Sequence, residues 1–178
     1  MNNIIYIMLK CIFYFSKNKE EKINNYFRNK GIKIGKNCKI YSNIITSEPY
    51  LVTIKNNVTI SNDVQLITHD NSIIKINPNF TDVFGEIIID DNVFIGARTL
   101  LLPGIKLGKG VIVGSGSVVT KSFLEENIII AGNPAKKIRI INDEFKEKIS
   151  KNGLNISNLT KAEKVKKIKE NQKKYLRK

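Results

Sequence analysis

Residues 89–124 read IDDNVF IGARTL LLPGIK LGKGVI VGSGSV VTKSFL when cut into sixes. An aliphatic residue opens every block: Ile89, Ile95, Leu101, Leu107, Val113 and Val119. Four positions on stands Val93, Thr99, Ile105, Val111, Ser117 or Phe123, and in most blocks Asn92, Gly104, Gly110 or Gly116 comes just before it. A period of six is not the three-to-four spacing of an amphipathic helix. It fits a short strand that turns a corner and repeats, the pattern of a solenoid. The aliphatic residue and the residue two before it face inward, as strand alternation requires. Asn or Gly falls where the backbone must take a tight or left-handed conformation. Three blocks close one triangular coil, and coils stack at the strand spacing of about 4.8 Å.

Working outward, the period holds upstream over 34–39 and 40–45, and again over 54–59, 60–65 and 66–71. Residues 46–53, TSEPYLVT, interrupt it, with Pro49 marking a turn or bulge. Residues 72–86, SIIKINPNFTDVFGE, carry no hexad pattern. They form an irregular excursion, and insertions in a regular scaffold often carry function. Downstream come a partial strand at 128–130 and then AGNPAKKIR at 131–139.

The ends differ in kind. Residues 2–15, NNIIYIMLKCIFYF, are apolar apart from Lys10, but shorter than the roughly 20 residues that span a bilayer. They lack the basic start and cleavage site of a signal peptide. They suit either a helix packed on the domain or a neighbouring subunit, or one resting on the inner membrane surface. A second helix over 19–29 stops at Gly31. Beyond Ile141 the chain is rich in Lys and Glu; Phe145 with Ile149, and Val165 with Ile168, are spaced for two helices broken at Asn152 and Gly153. The expected organisation is a helical segment 1–30, a repeat domain 31–140 and a basic helical tail 141–178.

With 178 residues the chain makes one core-bearing domain with appendages. Its formal charge of +14 divides as +4 over 1–30, +3 over 31–140 and +7 over 141–178, so the repeat domain is nearly neutral. Basicity raises nucleic-acid binding, but no nucleic-acid-binding motif accompanies it, and no such partner is expected. Cys11 and Cys38 form neither a disulfide framework nor a metal-ligand spacing, so no metal is expected. Cys38 falls at an inward position, and a reducing cytoplasmic compartment fits.

The one histidine, His69, lies in Ile67-Thr68-His69-Asp70, where a coil ends and the excursion opens. Imidazole, neutral near pH 7, is a natural general base for a hydroxyl or amine nucleophile. No competing nucleophile constellation is present: neither cysteine has a nearby His, and there is no Gly-x-Ser-x-Gly elbow.

The repeat resembles the hexapeptide-repeat acyltransferases, whose fold is a left-handed parallel β-helix. The handedness comes from that resemblance alone, since general connection rules favour a right-handed crossover. The stretches SEPYLVTI (47–54), ITHDN (67–71), IGART (95–99), LLPGIKLG (101–108), VIVGSGSVVTKS (111–122) and AGNPAKKI (131–138) look like the sugar O-acetyltransferase branch. KINNYFRNKGIKIG (22–35) resembles the capsular and surface-polysaccharide members. The resemblance implies acetyl-CoA as co-substrate, a sugar hydroxyl as acceptor and His69 as the base. It puts the Ala97 backbone N–H, which could stabilise an oxyanion, opposite the thioester carbonyl; several relatives have Ser there. It places Ser115 on the pantetheine path between Gly114 and Gly116, and Thr120 and Lys121 against the cofactor. Lys136 and Arg139 would meet the nucleotide phosphates, with the 132–134 turn aiming Lys136.

Glu48, beside Pro49 and one coil before His69, could bind the acceptor or orient the imidazole. Asp70, Asn71 and Tyr41 are further acceptor-side candidates. Relatives are trimers with the site between subunits, and Phe94, Leu100, Ile112 and Val118 are candidates for outward apolar contacts. An amino-sugar N-acetyltransferase, a serine acetyltransferase and a non-catalytic β-helix scaffold are the alternatives.

Overall fold

The computed structural model describes residues 2–13, 16 and 18–171, and the side chains of these from Tyr6 onward. Met1, Lys17, and Tyr14 and Phe15 of the apolar segment, together with 172–178 of the tail, lie outside the described residues. Two helices come first, α1 (Asn2–Ile12) and α2 (Lys19–Asn29). Short strands then follow one another around a coil: β1 (Lys33–Ile34) and β2 (Lys39–Ile40), then β3 (Val52–Ile54), β4 (Thr59–Ile60) and β5 (Gln65–Leu66). A hairpin of β6 (His69–Asp70) and β7 (Val83–Phe84) interrupts them. The next two coils contain β8 (Ile87–Ile89), β9 (Phe94–Ile95) and β10 (Leu100–Leu101), then β11 (Lys106–Leu107), β12 (Ile112–Val113) and β13 (Val118–Val119). β14 (Ile128–Gly132) and β15 (Ala135–Ile140) end the domain.

The strands visit three parallel sheets in rotation. The first face holds β1, β3, β8 and β11; the second holds β2, β4, β9, β12 and β14; the third holds β5, β10 and β13. Register stacks like on like. Ile40, Ile60, Ile95, Val113 and Ile130 form one inward ladder, and Leu66, Leu101 and Val119 another. All eight are buried. Each such side chain contributes about 1.5–3 kcal/mol of burial, which is why the six-residue period dictates the architecture.

Corners carry the expected left-handed residues. Asn37, Asn57, Asn92, Asn127, Gly104, Gly110 and Gly116 all have φ between 53° and 81°. Asp63 and Arg98, both at 58°, occupy the same phase, where the sequence signals neither Asn nor Gly. A left-handed non-glycine residue costs roughly 1–2 kcal/mol. The coil offsets that locally, for instance through the bond from Arg98 N–H to the Asn62 carbonyl one coil away, 3.0 Å.

Two departures shape the site. Residues 46–53 contain a 3-10 turn, Pro49–Leu51. The second departure begins three residues earlier than the hexad reading places it. The period ends at Thr68, because His69 and Asp70 leave to pair antiparallel with Phe84 and Val83. Nor is the excursion irregular throughout, since Asn71–Lys75 is a 3-10 turn. Gly85 N–H bonds to the Thr68 carbonyl at 2.9 Å and returns the chain to the coil. A Cβ on Gly85 would stand 2.1 Å from the Gly104 nitrogen, so only glycine fits there.

A solenoid exposes its core and strand edges at both ends unless they are capped. At the first coil α2 does this. Glu20 and Glu21 suit its N-terminus, and Ile23 and Phe27, one turn apart, are buried against the coil. Asn24 Nδ2 donates to the Cys38 carbonyl at 2.9 Å, and Arg28 donates to the carbonyls of Ile34 and Gly35. At the far end β15, a strand the hexad pattern does not signal, folds back antiparallel on β14.

The chain divides into two units, residues 1–140 and 141–178. The second contains α3 (Asp143–Ser150), with Asn142 Oδ1 accepting from Phe145 N–H, and α4 (Lys161–Asn171). Thr160 and Glu163 cap α4 reciprocally.

Candidate active site

Stacked coils bring Glu48 to His69 across 21 residues of sequence. Thr46 and Thr68 lie one above the other, hydroxyls 2.5 Å apart. Glu48 follows Thr46 by two residues at the mouth of the Pro49 turn, where its N–H donates to Thr46 Oγ1 at 3.2 Å. Its Oε2 accepts from the Thr68 hydroxyl at 2.6 Å and lies 2.8 Å from His69 Nδ1. Since the Thr68 hydroxyl is committed to the carboxylate, the Thr46 hydroxyl donates to Thr68, and the circuit closes on itself.

An ionised carboxylate can only accept, so Nδ1 carries the imidazole proton and Nε2 presents a lone pair. The His69 side chain is 40% exposed, against 12% for Glu48, so the imidazole reaches the surface while its partner is covered. The Thr68 hydrogen bond holds the Glu48 carboxyl below the usual range, helped by His69 and opposed by burial. Glu48's hydrogen bond in turn raises His69 above 6.5, with the charges of Asp82 and Asp70 adding. The Phe84 ring, delivered by β7, lies 6.0 Å from the imidazole.

The remaining candidates divide between two edges of the third face. Ala97 and Ser115 occupy the corner where the second face passes to the third, in successive coils; Gly116 N–H bonds to the Ala97 carbonyl at 2.8 Å. Among the described residues the Ala97 N–H has no hydrogen-bond partner. Buried Thr99 and Ser117 fasten these turns from inside by bonds to the Gly96 and Gly114 carbonyls, 2.7 and 2.6 Å. A Cβ on Gly96 would fall 2.5 Å from the Ser115 nitrogen, so glycine lets the corner stack. Further along the axis, exposed Lys136 pairs with Ala131, and Arg139 with Ile129. A turn closes between Gly132 and Ala135 just before Lys136, with Gly132 at φ 108°.

Thr120 and Lys121 stand on the other edge. Ile67, Leu102 and Thr120 form one column and Thr68, Pro103 and Lys121 the next, so these two share the His69 corner. Asp70 neighbours His69, but its carboxylate accepts from Ser72 N–H at 2.8 Å and caps the 3-10 turn that Asn71 begins. Tyr41 is not brought to this corner. It follows β2 on a different corner of the first coil and lines a cleft with Lys10, Phe13 and Ile23. Within one chain Tyr41 and His69 therefore stand apart, and Tyr41 shares the corner of Ala97 and Ser115.

Residues 86–121, β8 through β13, match the model for bacterial transferase hexapeptide (six repeats). Protein CapG of Staphylococcus aureus is 39% identical over 138 residues, 75% of this chain and 77% of CapG. The chain belongs to the bacterial hexapeptide-repeat transferases. This transferase is an enzyme of the acyltransferase class. It is also 34% identical over 116 residues to galactoside O-acetyltransferase of Escherichia coli, matching 65% of the chain and 57% of that protein's length. In fold it resembles a hexapeptide-repeat acetyltransferase from Vibrio cholerae, with a TM-score of 0.60 at 22% identity over 78% of this chain and 89% of that one.

Within the transferase's site, sequence reasoning did not pick out Thr46, Thr68, Asp82 or Phe84. Thr46 and Thr68 carry a faint signal: Thr68 adjoins His69, and Thr46 lies two residues before Glu48. Phe84 and Asp82 carry none, because the β6–β7 pairing alone brings them back to His69.

Proposed function

We propose that this transferase moves the acetyl group of acetyl-CoA to a sugar hydroxyl in surface-polysaccharide assembly, with His69 as general base. The observation that carries it is the buried Glu48 carboxylate on Nδ1, which leaves Nε2 of a partly exposed imidazole as acceptor. Nε2 takes the proton of the acceptor hydroxyl as its oxygen attacks the thioester carbonyl carbon. The tetrahedral oxyanion meets the Ala97 N–H. Collapse breaks the carbon–sulfur bond, and the thiolate takes the proton back from the imidazolium. The products are an acetyl ester and free CoA. The capsular role and the sugar acceptor are supported by the likeness to CapG and to galactoside O-acetyltransferase. The coil is read as left-handed, the sense the family resemblance implies.

The working site belongs to a homotrimer in this reading. By register Ala97 lies level with Asn62, and His69 is seven residues further around the coil. At about 3.3 Å per residue that path is about 23 Å along the chain, the width of a whole face of the coil and far beyond hydrogen-bond reach. A neighbour's Ala97, Ser115 and Lys136 edge set against the His69, Thr120 and Lys121 edge completes one cleft, and cyclic closure repeats it.

Incubation of the full chain with labelled acetyl-CoA and a panel of nucleotide sugars, oligosaccharides, amino sugars and serine tests the reading. The expected product is a base-labile ester on a glycan hydroxyl. A base-stable amide as the main product would overturn hydroxyl transfer, and ester formed on serine alone would overturn the sugar assignment.

Glu48→Gln is expected to slow transfer by roughly one to two orders of magnitude, because the amide still accepts from Nδ1 but carries no charge to stabilise the imidazolium. The sign of the pH effect follows. Glu48 raises the His69 pKa, and its loss lowers it, so the acid limb of kcat/KM moves to lower pH. An unmoved acid limb would contradict the pairing.

A further inference from the structure

The helix α1 has an apolar face that the fold leaves uncovered. Its inner side is anchored: Tyr6 is buried, its ring 5.8 Å from that of Phe27, and Leu9 and Phe13 are partly covered. At 3.6 residues per turn, Ile7, Met8, Cys11 and Ile12 share the opposite arc. Ile7 is 59% exposed, Met8 56% and Ile12 66%, and Cys11 is exposed as well. Among the described side chains no charged group interrupts this arc.

Lysines border it. The Lys10 ammonium lies 5.4 Å from the Tyr6 ring and that of Lys22, on α2, 5.0 Å from the Phe13 ring. Lys19 shares the cleft beside them. Their stems cover aromatic surface while the charged heads stay exposed. Residues 10–39 contain nine Lys and Arg against only Glu20 and Glu21.

We propose that α1 is a docking surface for an anionic lipid bilayer. The helix lies in the interface plane, with Ile7, Met8 and Ile12 at the acyl boundary and Lys10, Lys19 and Lys22 at the headgroups. Apolar area combined with basic charge is what holds such a helix. Its eleven residues span about 16 Å, and no helix among the described residues is long and apolar enough to cross a membrane. A second copy of the chain is the rival occupant. Two copies meeting here would oppose lysine to lysine, which like-charge repulsion disfavours, whereas an anionic leaflet supplies the complementary charge.

Sedimentation of the full chain with phosphatidylglycerol vesicles, against phosphatidylcholine vesicles, tests this. Binding to the anionic vesicles is expected to exceed binding to the neutral ones by at least about tenfold and to weaken with salt. The triple variant Ile7→Ser, Met8→Ser, Ile12→Ser should lose at least about tenfold in binding, and so should Lys19→Glu with Lys22→Glu. All five side chains are solvent-exposed, so circular dichroism and acetyl transfer to a soluble acceptor should stay at wild-type levels. No preference for anionic vesicles, or undiminished binding by the triple variant, overturns the proposal. A smaller solution mass for the triple variant than for wild type also overturns it, by assigning the face to self-association.

Discussion

His69→Ala is expected to lower the rate of acetyl transfer by about 10²–10⁴-fold, the usual cost of losing a general base. The loss should appear in kcat, with KM for acetyl-CoA little changed, since in the proposed mechanism the imidazole meets the acceptor hydroxyl and an interaction made only in the transition state lowers kcat. The fold should tolerate the change. The imidazole is 40% exposed and contributes nothing to the inward ladders, and Glu48 keeps its Thr68 hydrogen bond. The melting temperature should therefore move by no more than a few degrees. A well-folded His69→Ala enzyme with wild-type kcat would end the proposed mechanism.

Mixing two inactive variants should restore activity if the site is shared. His69→Ala removes the base from one edge; Ala97→Trp puts an indole into the corner on the other. In a cyclic trimer each cleft takes one edge from each of two neighbours. With equal amounts and free exchange, a cleft is intact when its first chain keeps His69 and its second keeps Ala97. Random assortment makes that about one cleft in four, so activity should rise from near zero to about a quarter of wild type. Confirmed exchange without recovery would count against the shared cleft, as would a fully active monomer.

The coil was legible because its information is local. Each six residues state an inward aliphatic, a second inward position and a corner, and burial rewards every repeat in the same way. The helices over 19–29 and in the tail, and the turn before Lys136, were equally local. Arg98 and Asp63 escaped notice because their left-handed corners are imposed by ladder bonds on either side and not by their own preference. β15 escaped because its contacts are made with β14 and not with a repeat of itself.

The site depended on what stacks on what. Sequence placed His69 at the mouth of an excursion and left Glu48 with two roles. The tertiary structure set the carboxylate on Nδ1, since one departure at 46–53 and another from His69 to Phe84 fix which side chains meet between coils. It likewise sent Tyr41 to the cleft beneath α1 and separated Thr120 and Lys121 from Ala97 and Ser115. Six-residue periodicity sets the phase of each residue around the coil. The lengths and internal pairings of the insertions decide its neighbours along the axis, and those pairings are closed by contacts too distant in sequence for any local pattern to specify.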